Sequence, residues 1–320
     1  MHRIPVGVLG ASGYAGRELC RLVAGHPHLE LAFATANEQR GQKLSCARRT
    51  VTLLATEDAP LQSAALVFSA LPHGASAQWV QRARESGAKA IDLSSDLRPG
   101  NGRHNGIPYG LPELFRESLR GADAIANPGC YPTAVLLALA PLLARGLLVP
   151  GSAIVVDAAS GVTGAGNSPR RDLLFAEVVE NYRPYAIGNE HRHLPEMRAA
   201  VSSYGIDADL IFTPHLLPVA RGILATCTVH ITEAVALPNE LWRAHYAAEP
   251  FVEIADDPPA LHDVVGRNVA GICVRPVAGV RKPMLQIFSA IDNLVKGAAG
   301  QALQNANLAL GLPEETGLPR

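Results

Sequence analysis

The chain has almost no net charge: 28 lysines and arginines stand against 29 aspartates and glutamates, for a formal −1 over 320 residues. So balanced a surface makes no broad field for nucleic acid or an anionic membrane, and any anion must be held by local groups. No apolar run reaches the ~20 residues that a bilayer span requires. The longest, Ala134 to Leu143 with its continuation to Val149, is broken by Pro141 and Arg145. Met1 leads into a strand-like run, not the charged and apolar regions of a leader, so a cytoplasmic location is expected. The five cysteines (Cys20, Cys46, Cys130, Cys227 and Cys273) include no C-x-x-C pair. Their scatter suggests neither a disulfide framework nor a zinc knuckle, and most of them are expected to be inert buried thiols.

What is present points to two domains, because 320 residues exceed the usual size of one core. Apolar strand-like runs at Pro5–Gly10, Leu29–Ala34, Leu66–Ala70 and Lys89–Leu93 alternate with helical periodicity at Tyr14–Ala24 and Ala75–Glu85. Such alternation predicts a parallel sheet covered on both faces, an α/β fold. A turn-dense loop from Asp96 to Leu114 follows, then a short strand at Ala124–Ala126 and a helix from Pro132 to about Arg145. Beyond Pro150, longer alternating strands with fewer helices predict a mixed, largely antiparallel sheet in a second α/β domain. A last helix is predicted from Leu294 to about Leu310.

Gly10-Ala11-Ser12-Gly13-Tyr14-Ala15-Gly16 lies between the first strand and the first helix, as a dinucleotide-binding turn must. There the glycines admit a tight turn, and backbone N–H groups meet a pyrophosphate at the positive helix end. The plainer alternative is an ordinary strand-to-helix turn. An NAD site usually has an acid at the end of the second strand for the ribose hydroxyls. Here that strand ends Ala34-Thr35-Ala36-Asn37, with Arg40 and Lys43 close behind. The cations favour the extra phosphate of NADP(H), while Glu38 keeps NAD open. Ser69 to Gly74, with Pro72, and Asn293 to Lys296 are placed beside the cofactor, because loops after strands form the ligand crevice.

Asn127-Pro128-Gly129-Cys130-Tyr131-Pro132-Thr133 sets a cysteine at the start of a helix. The helix dipole and unpaired N–H groups at such a position favour a thiolate, and a neighbouring imidazolium adds to the effect. A nucleophile needs a proton-transfer partner, and His191-Arg192-His193-Leu194-Pro195-Glu196 offers two imidazoles. His193 stands three residues before Glu196, so the carboxylate is spaced to orient that ring, which favours His193 over His191. No third ligand accompanies the two histidines, so no metal is expected. Arg98 and Arg221 are the candidates for holding a phosphate.

These blocks, with Ser160-Gly161-Val162-Thr163-Gly164-Ala165-Gly166, the run from Phe212 to Gly222 and Asp292-Asn293-Leu294-Val295-Lys296-Gly297, resemble the signature blocks of the N-acetyl-gamma-glutamyl-phosphate reductase family. They occur in family order over nearly the whole chain. The resemblance implies a Rossmann-type doubly wound domain over residues 1–130, completed by a C-terminal helix within 294–320. It implies a catalytic, substrate and oligomerisation domain over 131–293. It further implies NADPH as cofactor, a homo-oligomer (dimer or tetramer), and a place in arginine biosynthesis, among the relatives of aspartate-semialdehyde dehydrogenase. Cys130 is then the nucleophile forming a thioester, the His191–His193 block the acid/base, and Asn127, Ser160, Gly161 and Gly164 substrate contacts. Four positions depart from the family: Ala36-Asn37 where Ser-Arg is common, Ala159 in place of Lys, and Asn167 in place of Arg. Substrate anions then rely on Arg170, Arg171 or Arg221. Two alternatives share the pattern. One is a lysine-pathway reductase of a carrier-linked aminoadipyl phosphate, which the balanced charge disfavours. The other is a non-catalytic NADP-sensing regulator, which has no need of both nucleophile and base.

Overall fold

The computed structural model describes residues 3–46, 49–102, 104 and 106–320. The chain divides into two compact units, Met1–Gly129 with Ala298–Pro319, and Cys130–Gly297 with Arg320.

In the first unit, β1 (Ile4–Leu9) leads through the glycine turn into α1 (Tyr14–Gly25) and β2 (Leu29–Ala34). A separate antiparallel hairpin of β3 (Lys43–Cys46) and β4 (Arg49–Thr52) follows. Then come β5 (Leu66–Ser69), α2 (Ser76–Glu85), β6 (Lys89–Asp92), α3 (Pro112–Leu119) and β7 (Ala124–Ala126). The sheet is parallel throughout, in the order β2-β1-β5-β6-β7. Its strands read as unbroken apolar runs because both faces are covered. On β5, Leu66 and Phe68 enter one core with Val6, Val8 and Ile91, while Val67 enters the other with Trp79 and Ala83. β1 has β2 on one side and β5 on the other, so the chain reverses direction across the sheet there, and the crevice lies beyond the ends of β1 and β5. The hairpin went unread in the sequence, and it brings Cys46 against α1. Cys20 and Cys46 are hydrogen-bonded to each other, which pushes the Cys20 thiol up ahead of the effect of burial.

The second unit opens with α4 (Cys130–Arg145), then β8 (Ala153–Gly161), the short α5 (Phe175–Val178), β9 (Arg183–Pro184), α6 (Leu194–Ser202), β10 (Asp209–Leu217) and β11 (Ile223–His230). It closes with α7 (Pro238–His245), β12 (Val252–Ile254), α8 (Leu261–Val264), β13 (Ala270–Pro276) and β14 (Met284–Ile291). Its seven strands run β12-β13-β14-β11-β8-β10-β9. β8 and β10 pair in parallel, as do β12 and β13, and the remaining neighbours are antiparallel. Alternation puts Val156, Phe212, Cys227 and Ile287 in the core. α4 packs on β11 and β14 and is buried from Tyr131 to Leu143, which is why it is apolar all round. The chain then returns to the first unit with α9 (Gly300–Ala309), where Ala302, Leu303 and Ala306 join the core that holds α1.

Pro141 lies inside α4 and has no N–H for the carbonyl of Leu137. The Tyr246 hydroxyl, just past α7, supplies the missing donor to Leu137 O at 2.6 Å, and Trp242 Nε1 of α7 adds a bond to Ala138 O at 3.0 Å. Tyr246→Phe leaves that buried carbonyl without its donor and is expected to cost about 1–3 kcal/mol in urea unfolding. An unchanged urea midpoint would show that the bond adds nothing. Among the described residues, no helix is long and apolar enough to cross a membrane.

Candidate active site

Cys130 is the first residue of α4, directly after Asn127-Pro128-Gly129. None of the five cysteines is in a disulfide; four are buried and Cys130 is partly exposed. Pro132 falls in the first turn, where a missing N–H breaks no helical bond. Cys130 thus stands at the positive end of the helix dipole, and the first turn holds no acid to oppose it.

Around Cys130 the second unit assembles aromatic and imidazole rings. The Tyr131 hydroxyl lies 3.0 Å from that of Tyr185 and 3.4 Å from the carbonyl of His215. Burial pushes the Tyr185 phenol up to about 12, opposed by its bond with Tyr131 and helped by the nearby Cys130. Tyr131 is pushed up further by burial. Both phenols therefore stay protonated at neutral pH. The Tyr131 ring meets His191 edge-on at 5.4 Å and His193 at 6.1 Å, and the two imidazoles lie 4.8 Å apart. His191 Nδ1 accepts the backbone N–H of His193 at 3.1 Å, so in the neutral ring the proton sits on Nε2. Burial, then the Arg192 charge, lowers His191 to about 4. The positive imidazole expected beside the thiol is therefore not supplied by His191, which is neutral at pH 7. His193 caps α6 and Glu196 lies in that helix's first turn, both buried.

A cavity of about 250 Å³ opens in this unit, walled by Ser160, Gly161, Gly164, Tyr185, His191 and Arg192, with Arg170, Asp172, Arg183 and Glu190 among its polar groups. Of the residues expected in a site, Ser160, Gly161, Gly164 and His191 line this cavity, whereas Tyr185, Arg183 and Asp172 come from a stretch with no motif. Asp172 accepts from Arg170 at 2.6 and 3.0 Å and from Arg183 at 3.3 Å, holding two guanidinium groups together. His193 and Arg221 do not line the cavity. Arg221 donates to the buried Asp292 at 3.4 Å. Asn293 has both ends of its amide engaged, accepting from Gly222 N at 2.8 Å and donating to Thr163 at 3.0 Å. Lys296 is fully buried, its ammonium 5.4 Å from the centre of the Phe251 ring.

In the first unit, Gly10 has φ +78°, and a Cβ there would lie 2.5 Å from the carbonyl of Ala70, so the turns after β1 and β5 touch through it. A Cβ on Gly16 would collide with the Gly10 carbonyl oxygen. α1 starts with Gly13 at its cap, no capping side chain from that residue and no acid in its first turn, which fits a pyrophosphate at the helix start. Ser12 and Ala15 lie within this turn, and the ring of Tyr14 is 39% exposed beside it. The start of α2 is filled instead: the Asp96 carboxylate accepts N–H groups of Gly74, Ser76 and Ala77. Ser69 is likewise occupied, 2.6 Å from Ser76, which donates to Asp92. Pro72 stands in the loop between them, and Arg40 and Lys43 are exposed beyond β2. Arg98 is buried and donates to the carbonyls of Leu93 and Asn127; the Asn127 amide bonds Ala298 O and Asn305. These contacts hold the turn that precedes Cys130.

The chain thus joins a parallel sheet, with a glycine turn at its switch point, to a mixed-sheet unit that opens on a helix-start cysteine. Residues 5–122 match the semialdehyde dehydrogenase NAD binding domain, and residues 130–293 its dimerisation domain. The fold is similar to aspartate semialdehyde dehydrogenase II of Vibrio cholerae complexed with ASA (TM-score 0.81, 20% identity, 97% of this chain and 99% of that one). It is also similar to the Candida albicans aspartate semialdehyde dehydrogenase with NADP (TM-score 0.70, 15% identity, 96% and 98%). In sequence, the chain is 41% identical to N-acetyl-gamma-glutamyl-phosphate reductase of Thermus thermophilus over 98% of its length and 99% of the relative's. It is 42% identical to that of Desulforudis audaxviator, over 98% of each. The chain belongs to the N-acetyl-gamma-glutamyl-phosphate reductase family.

Proposed function

We propose that the chain reduces N-acetyl-gamma-glutamyl phosphate to N-acetylglutamate 5-semialdehyde and phosphate, through a thioester on Cys130, in arginine biosynthesis. The observation that carries this reading is the single partly exposed cysteine, at the start of α4, in a unit that also holds a polar cavity lined by guanidinium groups. The Cys130 sulfur attacks the acyl carbon; the bond from that carbon to the phosphate oxygen breaks, and phosphate leaves with the electron pair and the proton consumed overall. Backbone N–H groups at the start of α4 and the His191 Nε2–H are suited to hold the oxyanion. A reduced nicotinamide dinucleotide, when bound, supplies the hydride for the second half. The carbon–sulfur bond then breaks and the thiolate returns to the helix start as the aldehyde leaves. Arg170, Arg183 and Arg192 suit the substrate's anionic oxygens.

The glycine turn and the start of α1, with no acid in its first turn, support a dinucleotide on the first unit, and Arg40 and Lys43 favour NADP through its additional phosphate. The protein acts in the cytoplasm as a homo-oligomer, a dimer or tetramer. The outer face of the seven-stranded sheet supports this, since it leaves Val155, Ile211, Leu224 and Phe288 only partly covered. The test is phosphate-dependent reduction of NADP or NAD by a panel of amino-acid semialdehydes. N-acetylglutamate semialdehyde with NADP is expected to exceed the aspartate and unacetylated glutamate semialdehydes by roughly 100-fold or more in kcat/KM. Turnover confined to a carrier-linked aminoadipyl semialdehyde would transfer the reading to the lysine-pathway chemistry.

A further inference from the structure

Between β14 and α9 the chain makes a tight, heavily bonded turn. Asp292 is fully buried there. One of its carboxylate oxygens accepts from Leu294 N at 2.7 Å and Val295 N at 3.2 Å, the other from Gly266 N at 2.7 Å and Arg221 at 3.4 Å. Its carbonyl accepts Gly297 N at 2.8 Å. That bond spans five residues, and Val295–Ala299 is a π-helical turn. A π turn is wider than an α turn and recurs at functional sites, where it re-aims the backbone.

Here the widened turn drives Gly297 onto the nucleophile. A Cβ at 297 would stand 2.8 Å from the Cβ of Cys130, 3.2 Å from Ile291 Cδ1 and 3.3 Å from the Asp292 carbonyl oxygen. The Ile291 methyl can rotate away. The Cys130 Cβ cannot, because it is fixed to the backbone of a helix anchored along its length by burial and by Trp242 and Tyr246. We propose that Gly297 is a positioning residue for catalysis: its bare Cα, pressed against the Cys130 Cβ by the turn that Asp292 ties, sets where the sulfur points. This deepens the reaction proposed above, which supplies one of its readouts.

The experiment compares Gly297→Ala, Cys130→Gly and the double variant with the native full chain. In Gly297→Ala, kcat is expected to fall about 100-fold, the loss typical of a displacement near 1 Å, with KM for NADP unchanged. The rate of Cys130 alkylation by iodoacetamide is expected to change at least about tenfold and its pH midpoint to move, neither of which a merely structural glycine would do. In the Cys130→Gly background the colliding atom is gone, so adding Gly297→Ala should leave Tm nearly unchanged. A Gly297→Ala protein with native kcat, alkylation rate and pH midpoint overturns the proposal. So does an equal loss of Tm, or of folding, with and without the Cys130 side chain. If the native chain lacks the proposed reductase activity, alkylation and Tm still decide the point, so the two readings fail separately.

Discussion

Cys130→Ser is expected to remove phosphate-dependent turnover by about 10⁴-fold or more, the scale on which loss of a covalent nucleophile is felt in enzymes that use one. A serine hydroxyl ionises far less readily than a thiol. A helix start, which favours a thiolate, therefore does not generate a comparable alkoxide. Dinucleotide affinity should be nearly unchanged, because the substitution exchanges one sulfur for oxygen and leaves the glycine turn after β1 untouched. In the native protein, iodoacetamide should modify Cys130 quickly near neutral pH and spare Cys227, whose thiol burial pushes up to about 12. Turnover that survives in Cys130→Ser removes the thioester. A native Cys130 as inert as Cys227 would instead favour a cofactor-sensing regulator that keeps the fold without the reaction.

How much of this was legible in the sequence depends on how local the cause is. The glycine turn could be read because much of its cause is local, Gly10 at φ +78° and Gly16 with no room for a Cβ against the Gly10 carbonyl, and Cys130 because a proline in the first turn marks a helix start. The cavity wall was less legible. Tyr185, Arg183 and Asp172 sit where backbone conformation is set from outside the segment: Asn189, at φ +65°, is held by its amide, which pairs with Leu210 O and Phe212 N of β10. No periodicity records such a tie. Polar residues beside glycine-rich turns carry a second role that no motif records. Arg98, Asn127 and Asn293, expected as ligand contacts, each bond backbone in the fold, and one sequence does not distinguish a side chain that serves a ligand from one that completes a fold. The β3–β4 hairpin was missed because its strands are four residues each and partly polar.

The two histidines are expected to separate sharply. The spacing to Glu196 favours His193, whereas the structure puts His191 on the cavity wall with its proton on Nε2. His191→Asn should lower kcat by about 10²–10⁴-fold, the range of a lost proton-transfer or oxyanion partner. A neutral imidazole acts on the substrate oxygen mainly as a hydrogen-bond donor. His191→Gln, whose amide N–H reaches further than that of Asn, should therefore recover part of the loss. Equal loss in the two variants would make His191 a proton carrier, and a larger loss in His193→Asn would hand the role to that residue. Stability gives an independent check. The folded His191 titrates at about 4 and the unfolded one near 6.5, so between these values the unfolded chain binds the extra proton. This contribution is complete above about pH 6.5, and the fall toward pH 4 removes up to roughly 3 kcal/mol of it. His191→Gln should therefore lose less stability than the native chain between pH 7 and pH 4. If both lose stability in parallel, His191 is not the buried neutral imidazole on which its role as a donor rests.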